Sequence, residues 1–360
     1  MTFEEARAQF PVLERFAHLN AGSLGPLSRA TLDAMAERMR VDQERGRGGK
    51  AWYDSMLELR EGVRRRLAGV VVIGPERIAL TSSTTDGCNI VVSGLGLSAG
   101  DEVVTTDSEH PGLLLPLHVS GATVRVAEVA ARPVANALDE ILSHVTPRTR
   151  LLALSHVLWT TGQVMPVQEL KRETGLPVLV DGAQSVGAIP VDVGDLDFYT
   201  ISGQKWLCGP DPTGALYVRE PDQLAVAIPT YFAQKSIERD GSFEPKDTAA
   251  RFDSGWLSPP YLAGLDAALA GAPGWRLERS AEMAERCRQA LAERFRVIGE
   301  AGGGTLVSFV PPGEPVEDAA RLYERGVIVR DLPGTPWLRA SCGWWTSDED
   351  VERLVAGLSR

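Results

Sequence analysis

VLVDGAQSVGAIPVDVGDLDFYTISGQK, residues 178–205, is the stretch on which the reading of this chain turns. Val178, Leu179 and Val180, preceded across Pro177 by Leu176, make an apolar run of the kind buried on both faces of a parallel sheet. Asp181 stands where that strand ends, and α/β sheets gather their ligands outside the carboxyl ends of parallel strands. A second strand, Phe198 to Ile201, also ends in a polar cluster of Ser202, Gly203, Gln204 and Lys205. Alone, such an aspartate is a turn residue and such a lysine a solvated charge. Together, 24 residues apart at neighbouring strand ends, they suit a cofactor with one basic nitrogen and one aldehyde. Pyridoxal phosphate (PLP) has both.

Length and composition set the frame. A chain of 360 residues holds two domains, or one large α/β core with an appendage. Hydrophobic residues make up 44% and charged residues 24%, ordinary values for a globular protein, and the net charge of −11 argues against nucleic acid or an anionic membrane as partner. No run approaches the length of a membrane-spanning helix, and MTFEEARAQF lacks the basic and apolar regions of a signal peptide. The four cysteines are scattered without a C-x-x-C pair, and the five histidines form no H-E-x-x-H arrangement, so no metal site is expected. The reading is a reduced, cytoplasmic protein.

Taken in order, the chain opens with a short helix over residues 2–9 and a turn-rich loop, HLNAGSLGP, whose Asn20, Gly22, Ser23 and Gly25 allow close approach to a ligand. Leu32, Met35, Ala36 and Met39 recur at helical spacing after a capping Ser28. The basic run RGRGGK (45–50) is not a P-loop and reads as a mobile surface loop, followed by a helix from Tyr53 to Leu67. Ile78–Leu80 predicts a strand that leads into Ser82-Ser83-Thr84-Thr85-Asp86 at a helix start. Four consecutive hydroxyl residues exceed what an N-cap needs, and a helix N-terminus attracts anions, so this is the phosphate candidate. His110, at the end of EVVTTDSEHPG, is either a satisfied core residue or a ring that stacks on an aromatic cofactor.

Strand patterns alternate with helices at Glu102–Thr105, Val124–Val129, Leu151–His156, Val178–Val180, Phe198–Ile201 and Ala215–Val218. That alternation predicts a mostly parallel sheet wrapped by helices. Beyond Tyr261 the pattern changes: an amphipathic helix (Leu277–Phe295), a glycine run (Gly302–Gly304), short strands at Thr305–Phe309, Val327–Arg330 and Trp337–Ser341, then a helix from Asp348. The expected architecture is α/β: a large domain, 17–260, with a mostly parallel seven-stranded sheet, and a smaller α+β domain from 1–16 and 261–360. Arg330 and Arg339, on consecutive late strands, are edge residues or a bidentate clamp for carboxylates. A dinucleotide-binding protein would need G-x-G-x-x-G after the first strand, and SSTTDG does not supply it.

The order of these strings resembles the class V aminotransferase family of fold-type I PLP enzymes, which includes cysteine desulfurases, kynureninases and isopenicillin N epimerases. The likeness spans about residues 17–357. Within the family, TTDSEHPG, SHVLWTTGQVMPV, LVDGAQSVGAIPVD and the Arg330/Arg339 pair are similar to cyanobacterial-type L-cysteine/cystine C–S lyases. The resemblance implies that Lys205 bonds the cofactor aldehyde and later moves the Cα proton, that Asp181 pairs with the pyridine nitrogen, and that Gln184 bonds the ring hydroxyl oxygen. It implies that His110 stacks on the ring, and that Thr84, Thr85, Ser202 and Gln204 hold the phosphate. Arg339 would bind the substrate carboxylate, with Arg330, Asn20 and Trp159 beside it. It further implies a homodimer with sites at the subunit interface and a small amino acid as substrate.

Four positions depart from the family's pattern. Gln204 stands where His is usual, Trp159 where desulfurases have Asn, and Trp256 where a Thr from the partner subunit reaches the phosphate; Trp256 is therefore counted with the cofactor residues. The segment 331–338, DLPGTPWL, has no Cys, whereas desulfurases carry their persulfide-forming Cys there. The expected activity is β-elimination at carbon–sulfur bonds, with aminotransfer or epimerisation as the alternative and storage of sulfur on an enzyme cysteine disfavoured.

Overall fold

A computed structural model describes residues 1–130, 132–301 and 303–359. Gly302 of the glycine run, and Arg360, the last residue of the proposed small domain, lie outside the described residues. The central sheet has seven strands: β1 (Ile78–Thr81), β2 (Glu102–Thr106), β3 (Thr123–Ala127), β4 (Thr149–Ser155), β5 (Val178–Asp181), β6 (Phe198–Ser202) and β7 (Gly214–Val218). Their spatial order is β1-β7-β6-β5-β4-β2-β3. Only β7 runs against its neighbours, so the sheet is mostly parallel, as the alternation predicts.

The apolar run of β5 is buried because it is covered twice. Val178 and Val180 enter one core cluster with Leu152, Leu154, Ile201 and Tyr217, while Leu179 enters the other with Leu151, Ala153, Phe198 and Leu216. Alternate side chains of a strand point to opposite faces, and here both faces carry helices. The carboxyl ends of β1, β2, β4, β5 and β6 consequently open on the same edge, and at that edge stand Ser82–Thr85, His110, His156, Asp181 and Lys205.

A third cluster holds the C-terminal layer: Met283, Cys287 and Leu291 of the helix Arg276–Ala292 pack on Val307, Phe309, Leu338 and Ala340 of a four-stranded antiparallel sheet. Ala17 and Leu19 join that cluster, because Ala17–His18 pairs in parallel with Val327–Ile328. The strand expected over Val327–Arg330 is therefore divided. Its first half pairs with Ala17–His18, and Arg330–Asp331 pairs with Leu338–Arg339.

Two further expectations need correction. The second long helix starts at Gly49 rather than Tyr53, so Gly49 and Lys50 of the basic run are helical, and Lys50 meets Asp54 one turn on at 2.6 Å. The stripe at Leu32, Met35, Ala36 and Met39 is not a uniformly buried face: Leu32 and Met39 remain 48% and 59% exposed. Met35 instead packs on Gly264 of the helix Pro259–Gly271.

Candidate active site

Lys205 follows β6 in a tight turn crowded by the N-terminal loop. A Cβ on Gly25 would lie 2.1 Å from the Lys205 carbonyl oxygen, and one on Gly22 2.7 Å from Arg339 Nη2, so only glycine permits this approach. The lysine side chain stays partly open to the cleft, but its ammonium group is packed about by protein. Burial lowers its pKa to about 8, opposed by the Asp181 carboxylate and reinforced by Arg339. A buried lysine near neutrality is the form that adds to an aldehyde.

Asp181, 3% exposed, accepts from the Ala183 N–H at 2.9 Å and from Thr200 Oγ1 at 3.3 Å. Gln184 is held at both ends of its amide: Oε1 accepts from Trp206 Nε1 at 3.0 Å, and Nε2 donates to the Gly22 carbonyl at 2.8 Å. His110 caps the helix Pro111–Val119 through Nδ1, which accepts from the Gly112 N–H at 3.0 Å. That bond leaves the proton on Nε2, and burial, with Lys205 and Arg339 nearby, lowers its pKa, so the ring is neutral. It is not a core residue: His110 as a whole is exposed, although its ring is covered enough to lose part of its solvation, and it meets Trp159 edge-on at 5.4 Å.

At the start of the helix Thr84–Gly94 the four hydroxyls divide their work. Ser83 is the N-cap, accepting from the Asp86 N–H, and Ser82 donates to Asp86 from both N–H and hydroxyl. Among the described residues nothing bonds the hydroxyls of Thr84 and Thr85, which stand at the positive end of the helix. Ser202 donates to Gln204 Oε1 at 3.0 Å, which turns the Gln204 NH₂ away from Ser202.

Arg339 is 2% exposed and has no carboxylate partner among the described residues. Nη1 donates to the Trp159 carbonyl at 2.7 Å and Nη2 reaches Ser23 Oγ at 3.5 Å, while Nε is unpartnered. Burial, with Arg330 next in effect, lowers its pKa to about 9. Asn20 Oδ1, Trp159 Nε1 and Ser341 Oγ are likewise buried without partners, and a bridge joins Asn20 to Ser341. Buried polar groups in native proteins are almost always bonded, so the orphaned donors Arg339 Nε, Trp159 Nε1 and the Ser341 hydroxyl fit a carboxylate-bearing ligand, while the Asn20 oxygen is left to accept from a donor. Arg330 pairs in register with Arg339, is exposed, and has no side-chain partner among the described residues.

Trp256 is the expected cofactor residue that the single chain does not bring to this cluster. It is 57% exposed, stacks on Trp52 at 6.0 Å, and meets Tyr53 and Phe232. Ser254, two residues before it, turns inward and bonds Asp86 at the phosphate candidate. Three residues at the site escaped the sequence reading. Trp206 orients Gln184, Ser341 adds an unpartnered hydroxyl, and Glu109 lies buried near Asp181, bonded to Thr106 at 2.6 Å and to Ser155. Burial raises the Glu109 pKa to about 7, and Asp181 adds to the rise. The one available signal was an acid beside His110 in an otherwise hydroxyl-rich strand end. Among the described residues no group of His, Cys, Asp or Glu is disposed to hold a metal ion.

An amine of lowered pKa, a carboxylate one strand away, a free pair of threonine hydroxyls at a helix N-terminus and an amide with one N–H to spare together fit PLP. The profile of the class-V aminotransferase family matches residues 25–354. Isopenicillin N epimerase of Streptomyces clavuligerus is 30% identical over 99% of this chain and 97% of its own. A cysteine desulfurase of Salmonella agona is 28% identical over 100% and 98%. Among solved structures, the cystine C–S lyase C-DES with its product cysteine persulfide superposes with a TM-score of 0.90 at 30% identity, covering 97% of this chain and 99% of that one. A lysine-to-alanine mutant of C-DES, with glycine covalently linked to its PLP, gives the same TM-score and identity. The chain belongs to the class V aminotransferase family and is a PLP-dependent enzyme.

Proposed function

We propose that the protein is a C–S lyase that acts by β-elimination on L-cysteine, L-cystine or a related thio-amino acid, giving pyruvate, ammonia and a sulfide or persulfide. The carrying observation is the buried, carboxylate-free Arg339 with Arg330 beside it in register. Directly paired residues of an antiparallel ladder project to the same face. Arg339, with the donors of Trp159 and Ser341, would take the α-carboxylate, with the Asn20 oxygen beside it free to accept from a substrate donor, and Arg330 the second polar group of a longer substrate such as cystine. PLP bound here would supply the aldehyde for the substrate amine and a ring that delocalises the electron pair released at Cα.

The chain's own residues would do the rest. Lys205 Nζ would be the amine that holds the aldehyde and the base for the Cα proton. Asp181 would favour a protonated pyridine nitrogen, Gln184 would offer its spare N–H to the ring hydroxyl oxygen, and His110 would pack against the ring. Thr84, Thr85 and the Gln204 amide bind phosphate, with Ser202 orienting Gln204. All four cysteines are free of disulfides and buried; burial raises the thiol pKa of Cys88 and Cys208, and a hydrogen bond with Cys287, then burial, raises that of Cys342, which speaks against a sulfur-storing cysteine and accords with a reducing cytoplasm. We assign residues 17–260 to the cofactor domain and 1–16 with 261–360 to the small one, except that Ala17 and Leu19 pack in the small domain's core and Leu262 and Leu265 in the large one's. We also expect a homodimer, with the outward cleft of Met39, Trp52, Trp256 and Tyr261 against the second copy.

Epimerisation is the second reading, favoured by the 30% identity to isopenicillin N epimerase. The deciding experiment incubates the PLP-loaded enzyme with L-cystine and assays pyruvate. Pyruvate from wild type, lost by about a hundredfold in kcat/KM with Arg339→Ala, supports the lyase, because truncating one partner of a buried charge pair costs several kcal/mol. Racemised amino acid without pyruvate overturns it in favour of the epimerase.

A further inference from the structure

A second cavity, about 240 Å³, lies behind the Lys205 turn and shares only Trp206 with the residues described around the cofactor site. Its walls are mostly apolar, among them Phe10, Val70, Leu207, Ala268 and Trp344, and Arg276 is the one cationic side chain among its described lining residues, with Met1 bringing the chain's N-terminus to the same wall. Arg276 opens the helix Arg276–Ala292; its Nη1 donates to the Pro273 carbonyl at 3.2 Å, and its Nε is buried without a partner. No carboxylate among the described residues pairs with it, and burial alone lowers its pKa.

A half-buried guanidinium whose Nε is buried without a partner, beside apolar walls, gains from an anion that meets it. A carboxylate matches its fork, and the N-terminus of a 17-residue helix favours negative charge at the same point. A dry cavity of about 150 Å³ takes up benzene, so by proportion 240 Å³ has room for about eight to ten heavy atoms. We propose that this cavity binds a medium-chain aliphatic monocarboxylate, its alkyl chain against Phe10, Leu207 and Trp344 and its carboxylate on Arg276. Trp206 also lines the cavity, while its Nε1 bonds Gln184, so an occupant touches the residue that orients a cofactor-site amide. The proposal stands on the cavity alone and is independent of which reaction the PLP site performs.

The test titrates the PLP-loaded enzyme with octanoate by calorimetry, with tryptophan fluorescence as a second readout. Saturable binding of one octanoate per chain is expected. Octan-1-ol and the variant Arg276→Gln should each weaken it by about tenfold, the worth of one charge-assisted hydrogen bond. Ala268→Phe, which fills the apolar end, should abolish binding while thermal denaturation shows an intact fold; R276Q carries the test alone if that variant does not fold. No saturable binding, equal affinity for octanol and octanoate, or undiminished affinity in R276Q overturns the proposal.

Discussion

Trp206 Nε1 donates to Gln184 Oε1 at 3.0 Å, and this bond decides which end of the Gln184 amide can serve the cleft. With Nε2 already donating to the Gly22 carbonyl at 2.8 Å, one N–H is the donor left over. Trp206→Phe keeps the apolar packing and frees the amide to turn. A net hydrogen bond contributes about 1 kcal/mol, so PLP affinity should fall about fivefold, read by titrating the apoprotein at the cofactor absorbance band. Unchanged affinity would show that Gln184 needs no such support.

Lys205 should titrate well below a surface lysine. With its pKa lowered to about 8 by burial, the rate at which apoprotein takes up PLP should rise with pH and level off above about 8. An ordinary lysine would keep rising toward about 10.4. Stopped-flow absorbance across pH 6–10 checks this, with Lys205→Ala as the blank that forms no covalent band.

Glu109 makes stability depend on pH in the opposite sense from a salt-bridged carboxylate. Its folded pKa, raised to about 7 by burial, lies above its ordinary value, so the native state binds more protons between the two. Stability from this group is full below about pH 4.5 and is lost as pH rises toward 7, by an amount on the order of 3 kcal/mol. Glu109→Gln, which cannot ionise, should therefore gain on wild type in Tm as pH rises from 5 to 8. A constant Tm difference would show that Glu109 is ionised throughout.

Asp253 ties the helix Gly49–Val70 to β1. Its carboxylate accepts from Arg60 at 2.8 Å, from Arg64 at 3.0 and 2.8 Å, and from the Leu80 N–H at 2.8 Å, all buried. Asp253→Asn leaves Arg60 without a counter-charge and Arg64 with only the half-exposed Glu61, at 3.2 Å, and breaking a buried pair costs about 3–5 kcal/mol. Because Ser254 bonds Asp86 at the phosphate candidate, PLP affinity should fall along with denaturant stability. Loss of stability with PLP affinity intact would separate the two.

Legibility in the sequence followed the range of the forces involved. The strand ending at Asp181 and the one ending before Lys205 were readable because burial on both faces demands a continuous apolar run. The hydroxyl run at Ser82–Thr85 was readable as a candidate anion site, but its division of labour was not. Capping by Ser83 and the bonds from Ser82 to Asp86 depend on local geometry that leaves composition unchanged. Trp256 was drawn to the cofactor by position along the chain, whereas its neighbours in space are Trp52, Tyr53 and Phe232. Glu109 passed unnoticed because nothing in TTDSEHPG tells that it turns inward to Ser155, 46 residues on.

The sequence by itself determined the class of fold, the order of the chemical groups along it and the cofactor they suit. Alternating apolar runs and helix-period stripes are local patterns, and strand ends in a parallel sheet all face one edge. Only the tertiary structure decided the state of those groups. That Lys205 is desolvated, that Arg339 lacks a carboxylate, that Gln184 is clamped by Trp206 and Gly22, and that Arg276 borders an apolar cavity all follow from neighbours far away in the chain. Charge and hydrogen-bonding capacity are set by what surrounds a group in space, and closure of the N-terminal loop over the strand ends supplies those surroundings here.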